Sequence, residues 1–106
     1  MSWPLARGQV VLAHIGLNEA KRLLIVSNNR RNRHLQSVLA VRLTTTKKPD
    51  IPSVVPLQHE DQMTGFACCD DIIEIFEDEV VQVVGALTPS TMARVSRGLA
   101  AALDIA

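Results

Sequence analysis

Short apolar runs, each cut off by turn-forming residues within a few positions, leave this chain little room for helix before its C-terminus. Gly8 to Ile15 reads as a first strand, stopped at Gly16, and Leu23 to Ser27 and Ser37 to Leu43 read as the second and third. The segment Lys47-Lys48-Pro49-Asp50-Ile51-Pro52 is a turn-rich crossing, because proline removes a donor from a central ladder. A fourth strand is expected over Ser53 to Leu57, followed by a polar loop from His59 to Thr64. A fifth strand, or a bent pair, is expected within Gly65 to Ile75. The acidic turn Glu77-Asp78-Glu79 separates this from a last strand over Val80 to Leu87. Asn28 to His34 has no apolar periodicity and is expected to be a loop with room for one helical turn.

Only the C-terminal stretch carries a helical period. Thr88 can cap it and Pro89 suits its first position, where a missing N–H is harmless. Met92, Val95, Leu99 and Leu103 then recur at spacings of three and four, marking one face for the core or for a dimer contact. Gly98 costs about 1 kcal/mol of helix propensity relative to Ala, so close packing is its expected purpose. Strands without βαβ alternation, closed by one helix, predict an α+β fold that is mainly β, a small barrel-like sheet with a C-terminal α-helix. With 106 residues there is room for one domain, residues 1–106, and one core.

The formal charge of zero conceals a segregation. Eight of the eleven Lys and Arg residues lie between Lys21 and Lys48, where there is no acid. Residues 49–93 carry nine acids and no Lys or Arg. Such asymmetry predicts a polyanion-binding surface on one side. Trp3, Phe66 and Phe76 are the only aromatics, too few for a base-stacking platform. Cys68 and Cys69 are adjacent and point to opposite faces of a strand, so reduced structural thiols are expected in place of a disulfide. They have no partners at ligand spacing, and no metal or cofactor is expected. No apolar stretch reaches the roughly 18 residues of a membrane span, and the N-terminus lacks the layout of a signal peptide, so the cytoplasm is the expected location.

Glycine-rich phosphate loops, H-E-x-x-H helices and G-x-S-x-G elbows are all missing. What remains is cationic and hydroxylic. Arg grips a phosphate through two parallel hydrogen bonds, Lys acts as a point charge, and Thr adds a neutral donor. RNA cleavage needs little more, since the neighbouring 2′-hydroxyl is the nucleophile and the protein supplies proton transfer and stabilisation of a negatively charged phosphorane. Lys21, Arg22, Arg42, Thr44 and Thr45 form such a set if the second and third strands end near each other. Asn28, Asn29, Arg30, Arg31, Arg33, His34, Lys47 and Lys48 extend the basic surface.

Several segments, in order along nearly the whole chain, resemble the MazF/PemK-type toxins of toxin–antitoxin pairs. Arg7-Gly8-Gln9-Val10-Val11 is similar to the R-G-D-V opening of that family. Leu24-Ile25-Val26-Ser27-Asn28 followed by Asn32 resembles V-V-S-N…N, and Ala40-Val41-Arg42-Leu43-Thr44-Thr45 resembles V-x-L-T-S. Cys69-Asp70-Asp71-Ile72 resembles C-D-Q-I. Val84-Gly85-Ala86-Leu87-Thr88-Pro89, with Met92 and Val95, resembles I-G-x-L-S-x-x-M-x-x-V. The resemblance implies an SH3-like barrel, a homodimer, and sequence-specific, metal-independent endoribonuclease activity. It also implies a cognate antitoxin whose acidic, partly disordered tail covers the RNA groove. Thr44 falls on the family's functional threonine and Thr45 on the serine after it. The family's Arg-Pro, aligned without a gap, falls on Lys21 and Arg22, whereas a one-residue shift would restore Arg22 to the arginine's role and turn the strand's faces over. The loop before it is shortened here to Leu17 to Ala20. Two other readings are a gyrase-inhibiting toxin resembling the CcdB type, acting through its C-terminal helix, and a catalytically silent nucleic-acid-binding module.

Overall fold

A computed structural model describes residues 2–16 and 19–105, so Leu17 and Asn18 of the short loop lie outside the described residues. The strands are β1 (Gln9–Ala13), β2 (Lys21–Ile25), β3 (Ser37–Thr44), β4 (Val54–Pro56), β5 (Phe66–Phe76) and β6 (Val80–Ala86). Helix α1 (Asn29–His34) joins β2 to β3, and helix α2 (Pro89–Leu103) closes the chain. The six strands form one sheet in the order β4-β5-β3-β2-β1-β6. Every neighbouring pair is antiparallel. The result is an open, barrel-like sheet with one terminal helix, as the apolar runs predict.

Side-chain alternation sends successive strand residues to two buried clusters. Leu24, Val26, Val41 and Leu43 join Val10, Val55, Ala67, Cys69 and Val95 of α2 in one. Leu23, Ile25, Val38 and Ala40 join Leu5, Val11, Ala13 and Ile75 in the other. A sheet buried on both faces explains why these strands read as continuous apolar runs. Pro56 stands on the edge strand β4, where proline is tolerated.

Two expectations change and one open alternative closes. β2 begins at Lys21, not Leu23, because Ala13 pairs with Lys21 and Leu12 with Arg22. The fifth segment is a single strand with a register slip: Val41 pairs with Ile72 but Arg42 pairs with Cys68. Asn28 to His34 is chiefly helix rather than loop. Asn28 caps it by accepting from the Arg31 N–H at 2.7 Å, and buried Asn32 is fixed by the Ser27 hydroxyl at 2.6 Å. Local side-chain hydrogen bonds, invisible to hydrophobic periodicity, build this helix.

Helix α2 starts as expected, with the Thr88 hydroxyl accepting from the Thr91 N–H at 3.2 Å. Its buried line is Thr91, Val95 and Gly98, flanked by half-buried Met92 and Leu99, while Leu103 is exposed. Gly98 does serve close packing. A β-carbon there would lie 2.8 Å from the Cys69 sulfur and 3.0 Å from Val55 Cγ2.

Candidate functional site

The β2–β3 ladder runs Ile25–Ala40, Leu24–Val41, Leu23–Arg42, so β2 begins and β3 finishes at the same end of the pair. The two strand termini carrying Lys21, Arg22, Thr44 and Thr45 therefore meet. Leu23 and Leu24 enter different core clusters, which places Lys21 and Arg22 on opposite faces. Arg42 and Thr44 alternate with the buried Val41 and Leu43. Continuing the ladder by two residues sets Lys21 across from Thr44 on one face.

Arg22 is half-buried, and its Nη2 donates to the Thr64 carbonyl at 3.1 Å. Next to it Gly65 adopts φ +121° and packs so tightly that a β-carbon would overlap the Thr44 carbonyl. Thr44 Oγ1 accepts from the Thr46 N–H at 3.1 Å, which fixes the hydroxyl's acceptor side. Lys21, Thr45, Lys47 and Lys48 are exposed. Arg42 is exposed too, with its Nε 3.3 Å from the Asp71 carboxylate, which the β5 register slip brings alongside.

The basic residues of α1 do not join this end. The helix sits where β2 finishes and β3 begins, roughly 20 Å from Thr44 along the strand. Three of its predicted contact residues have structural duties: Asn28 caps the helix, Asn29 accepts from the Arg7 N–H at 2.7 Å, and Arg31 donates to the Ser37 carbonyl at 2.8 Å beside Glu74. Arg30, Arg33 and His34 are exposed, and His34 Nδ1 lies 2.8 Å from the Arg30 carbonyl. The expectation that these residues extend one basic surface gives way to two separate cationic regions at opposite ends of β2 and β3, because antiparallel pairing sends the connecting segment to the far end.

Sequence reasoning passed over the segment between β4 and β5 as a polar loop. Its Asp61 is 3% exposed and fully engaged. The carboxylate accepts from the N–H of Gln58 at 2.7 Å, the N–H of Thr88 at 2.8 Å and the hydroxyl of Thr91 at 2.7 Å. Burial pushes this carboxyl's pKa up, but the backbone bonds from Thr88 and Gln58 and the threonine hydroxyls outweigh it and hold the group below its ordinary value. The spacing of Gln58 and Asp61 is that of a capping box, the one local signal for it. A cavity of about 640 Å³ opens beside this segment, lined by Arg22, His59, Glu60, Gln62, Met63 and Thr64. Cys68 and Cys69 are free and buried; burial raises both thiols, Cys69 to about 11.

A sequence model of the family described as PemK-like, MazF-like toxin of type II toxin-antitoxin system matches residues 6–103. "Endoribonuclease MazF1" of Mycobacterium bovis is 45% identical over 105 residues, covering 99% of this chain and 97% of that protein. "Endoribonuclease MazF4" of Mycobacterium tuberculosis has the same identity and coverage. A solved mycobacterial structure, an endoribonuclease in complex with its cognate antitoxin, superposes with a TM-score of 0.90 at 43% identity, covering 97% of this chain and 98% of the other. A MazE-MazF structure from Deinococcus radiodurans, 19% identical with 97% of each chain covered, shares the fold at a TM-score of 0.77.

Proposed function

The chain belongs to the PemK-like, MazF-like toxin family of type II toxin–antitoxin systems, and on that premise we propose that it cleaves single-stranded RNA at specific sequences without a metal ion. The observation that carries this reading is the meeting of Lys21 and Thr44 where β2 begins and β3 ends. Attack of a ribose 2′-hydroxyl on the adjacent phosphorus, its proton passing to water, expels the 5′-oxygen of the next nucleotide, which takes a proton from water, and leaves a 2′,3′-cyclic phosphate. The Lys21 ammonium balances the charge that develops on the phosphorane, and the Thr44 hydroxyl donates to a non-bridging oxygen. Lys21 thus fills the family's arginine position, with Arg22 on the opposite face able to hold a flanking nucleotide in the cavity it lines. Arg42, Thr45, Lys47 and Lys48 attract the backbone around the scissile bond.

The deciding experiment incubates the purified protein with mixed RNA in EDTA. Fragments ending in 2′,3′-cyclic phosphate and 5′-hydroxyl groups are expected, while intact RNA beside an active control ribonuclease removes the reading. Steeply salt-dependent binding without cleavage would assign a silent module instead, and activity that survives loss of Lys21 and Thr44 but acts on gyrase would assign the helix-borne alternative.

The same premise includes a second copy of the chain and a cognate antitoxin with an acidic, disordered tail. Edge strand β6 leaves Val81, Val83 and Val84 exposed, a strip suited to a second copy. The exposed cations of β3 and the residues after it offer the tail its counter-charge. Among the described residues no helix is long and apolar enough to cross a membrane. The cytoplasm, where RNA and antitoxin are both made, is the proposed place of action.

A further inference from the structure

We propose that Asp61 is a positioning residue for Arg22, acting through the segment that joins β4 to β5. This rests on the reading of Arg22 as part of the RNA site. Arg22 stands at the start of β2, and Asp61 is buried against the N-terminus of α2, yet a continuous path of bonds joins them. Asp61 takes hydrogen bonds from Thr88 and Thr91 of the helix start and from Gln58 of its own segment, all at 2.7–2.8 Å. Arg94 adds a bond from its Nη2 to the Thr91 hydroxyl at 2.8 Å, so that hydroxyl must give its own proton to Asp61. The segment is closed at its base by the Leu57 N–H bonding the Gly65 carbonyl at 2.9 Å. Between these anchors Thr64 presents its carbonyl to Arg22 Nη2 at 3.1 Å. Gly65, at φ +121°, has room for no side chain against the Thr44 carbonyl, and this lets the segment pack closely on the strand ends.

The arrangement solves a specific problem. A long arginine side chain loses rotamer freedom when it grips a phosphate, and one fixed hydrogen bond before RNA arrives removes part of that cost. The fixed bond is useful only if the carbonyl is itself immobile. A surface turn with a single helical twist does not hold a carbonyl still, whereas a buried carboxylate with all its bonds made does. Asp61 therefore sets the pose of a guanidinium to which it makes no direct bond.

The test compares Asp61→Asn with the native chain by two readouts. Asparagine keeps the shape but replaces one acceptor oxygen with a donor; Gln58 and Thr91 share Oδ2 while Thr88 uses Oδ1, so either that pair of bonds or the Thr88 bond is lost. In the native protein the Arg22 guanidinium, assigned by its loss in Arg22→Lys, is expected to give a resolved, slowly rotating Nη signal in NMR. In Asp61→Asn that signal is expected to collapse while the α2 amide resonances beyond the first turn stay in place. Cleavage is expected to fall in kcat/KM by on the order of a hundredfold, the scale of a misplaced substrate-holding group. It is expected to fall no further when Asp61→Asn is added to Arg22→Ala. Should Asp61→Asn fail to fold, Thr91→Val removes one of the same bonds and Thr91→Ser restores it. A persistent Arg22 signal in a folded Asp61→Asn or Thr91→Val overturns the proposal, as does an equal loss of cleavage with and without Arg22. Native-like cleavage by Arg22→Ala removes the catalytic half of the idea and corrects the reading of Arg22, whereas the NMR comparison still decides whether Asp61 orders that side chain.

Discussion

At position 21 an exposed lysine stands where the resemblance places an arginine, and the difference has measurable consequences. An ammonium offers charge without the planar fork, so it stabilises a phosphorane less selectively. Lys21→Ala is expected to lower kcat/KM by about a hundredfold or more, the cost of one lost donor to a developing oxyanion. Lys21→Arg is expected to cleave at least as fast as the native chain. Single-turnover kinetics on one RNA checks both. Thr44→Ala is expected to slow the same step with an unchanged Tm, because Thr44 is only half-buried and its hydroxyl accepts a local bond from the Thr46 N–H. Gly98 makes the opposite kind of residue, one that matters only for packing. Gly98→Ala places a β-carbon 2.8 Å from the Cys69 sulfur, and overpacking of this kind destabilises by about 1–3 kcal/mol. Denaturant unfolding would show it, against an expected gain from helix propensity if the site could relax.

Among the elements, α2 and the segment before β5 behave as one unit because Asp61 ties them. With its carboxyl held below the ordinary value, the group contributes stability that is complete above its unfolded pKa and is lost as pH falls through the lower folded value. The Tm difference between the native chain and Asp61→Asn is therefore expected to stay level from about pH 5 to 7 and to shrink below about pH 4. Calorimetry across that range checks the sign. Helix α1 offers a contrasting case. Its basic sequence suggests ligand contact, yet Asn28, Arg31 and Asn32 are occupied in holding the helix to β3 and Ser27. Loss of buried Asn32 takes away the acceptor of the Ser27 hydroxyl proton and the donor to the Ser27 carbonyl, and Asn32→Ala is expected to cost about 1–3 kcal/mol. Arg30→Ala and Arg33→Ala are expected to leave Tm unchanged and to weaken RNA binding modestly.

The whole molecule pairs a cationic strand end with an exposed apolar edge. A chain with a formal charge of zero still presents a local cationic surface, because the acids collect on other segments. RNA affinity is accordingly expected to fall steeply with salt, with a slope reduced by about 0.7 in each variant that removes a phosphate contact. β6 closes one side of the sheet with three exposed valines, a hazard for a monomer and an asset for a dimer. Val81→Asp is expected to shift the protein toward monomer, which light scattering after gel filtration measures directly.

By itself the sequence determined the order of the strands along the chain, the terminal helix with its Thr88 cap, and the close approach required at Gly98. Each depends on residues within a few positions of one another, where periodicity, capping and backbone preference act. It also marked Lys21 and Thr44, through the apolar runs beside them and the family pattern. Tertiary structure decided the rest. Only the antiparallel register shows that β2 begins where β3 ends, that Lys21 and Arg22 part to opposite faces, and that α1 lies at the far end of the pair. The role of Asp61 was the least legible, since its partners at Thr88 and Thr91 are distant in sequence and hydrogen bonding between distant segments leaves no local pattern. The basic stretch from Lys21 to Lys48 is continuous along the chain, and folding divides it because a strand pair must reverse direction.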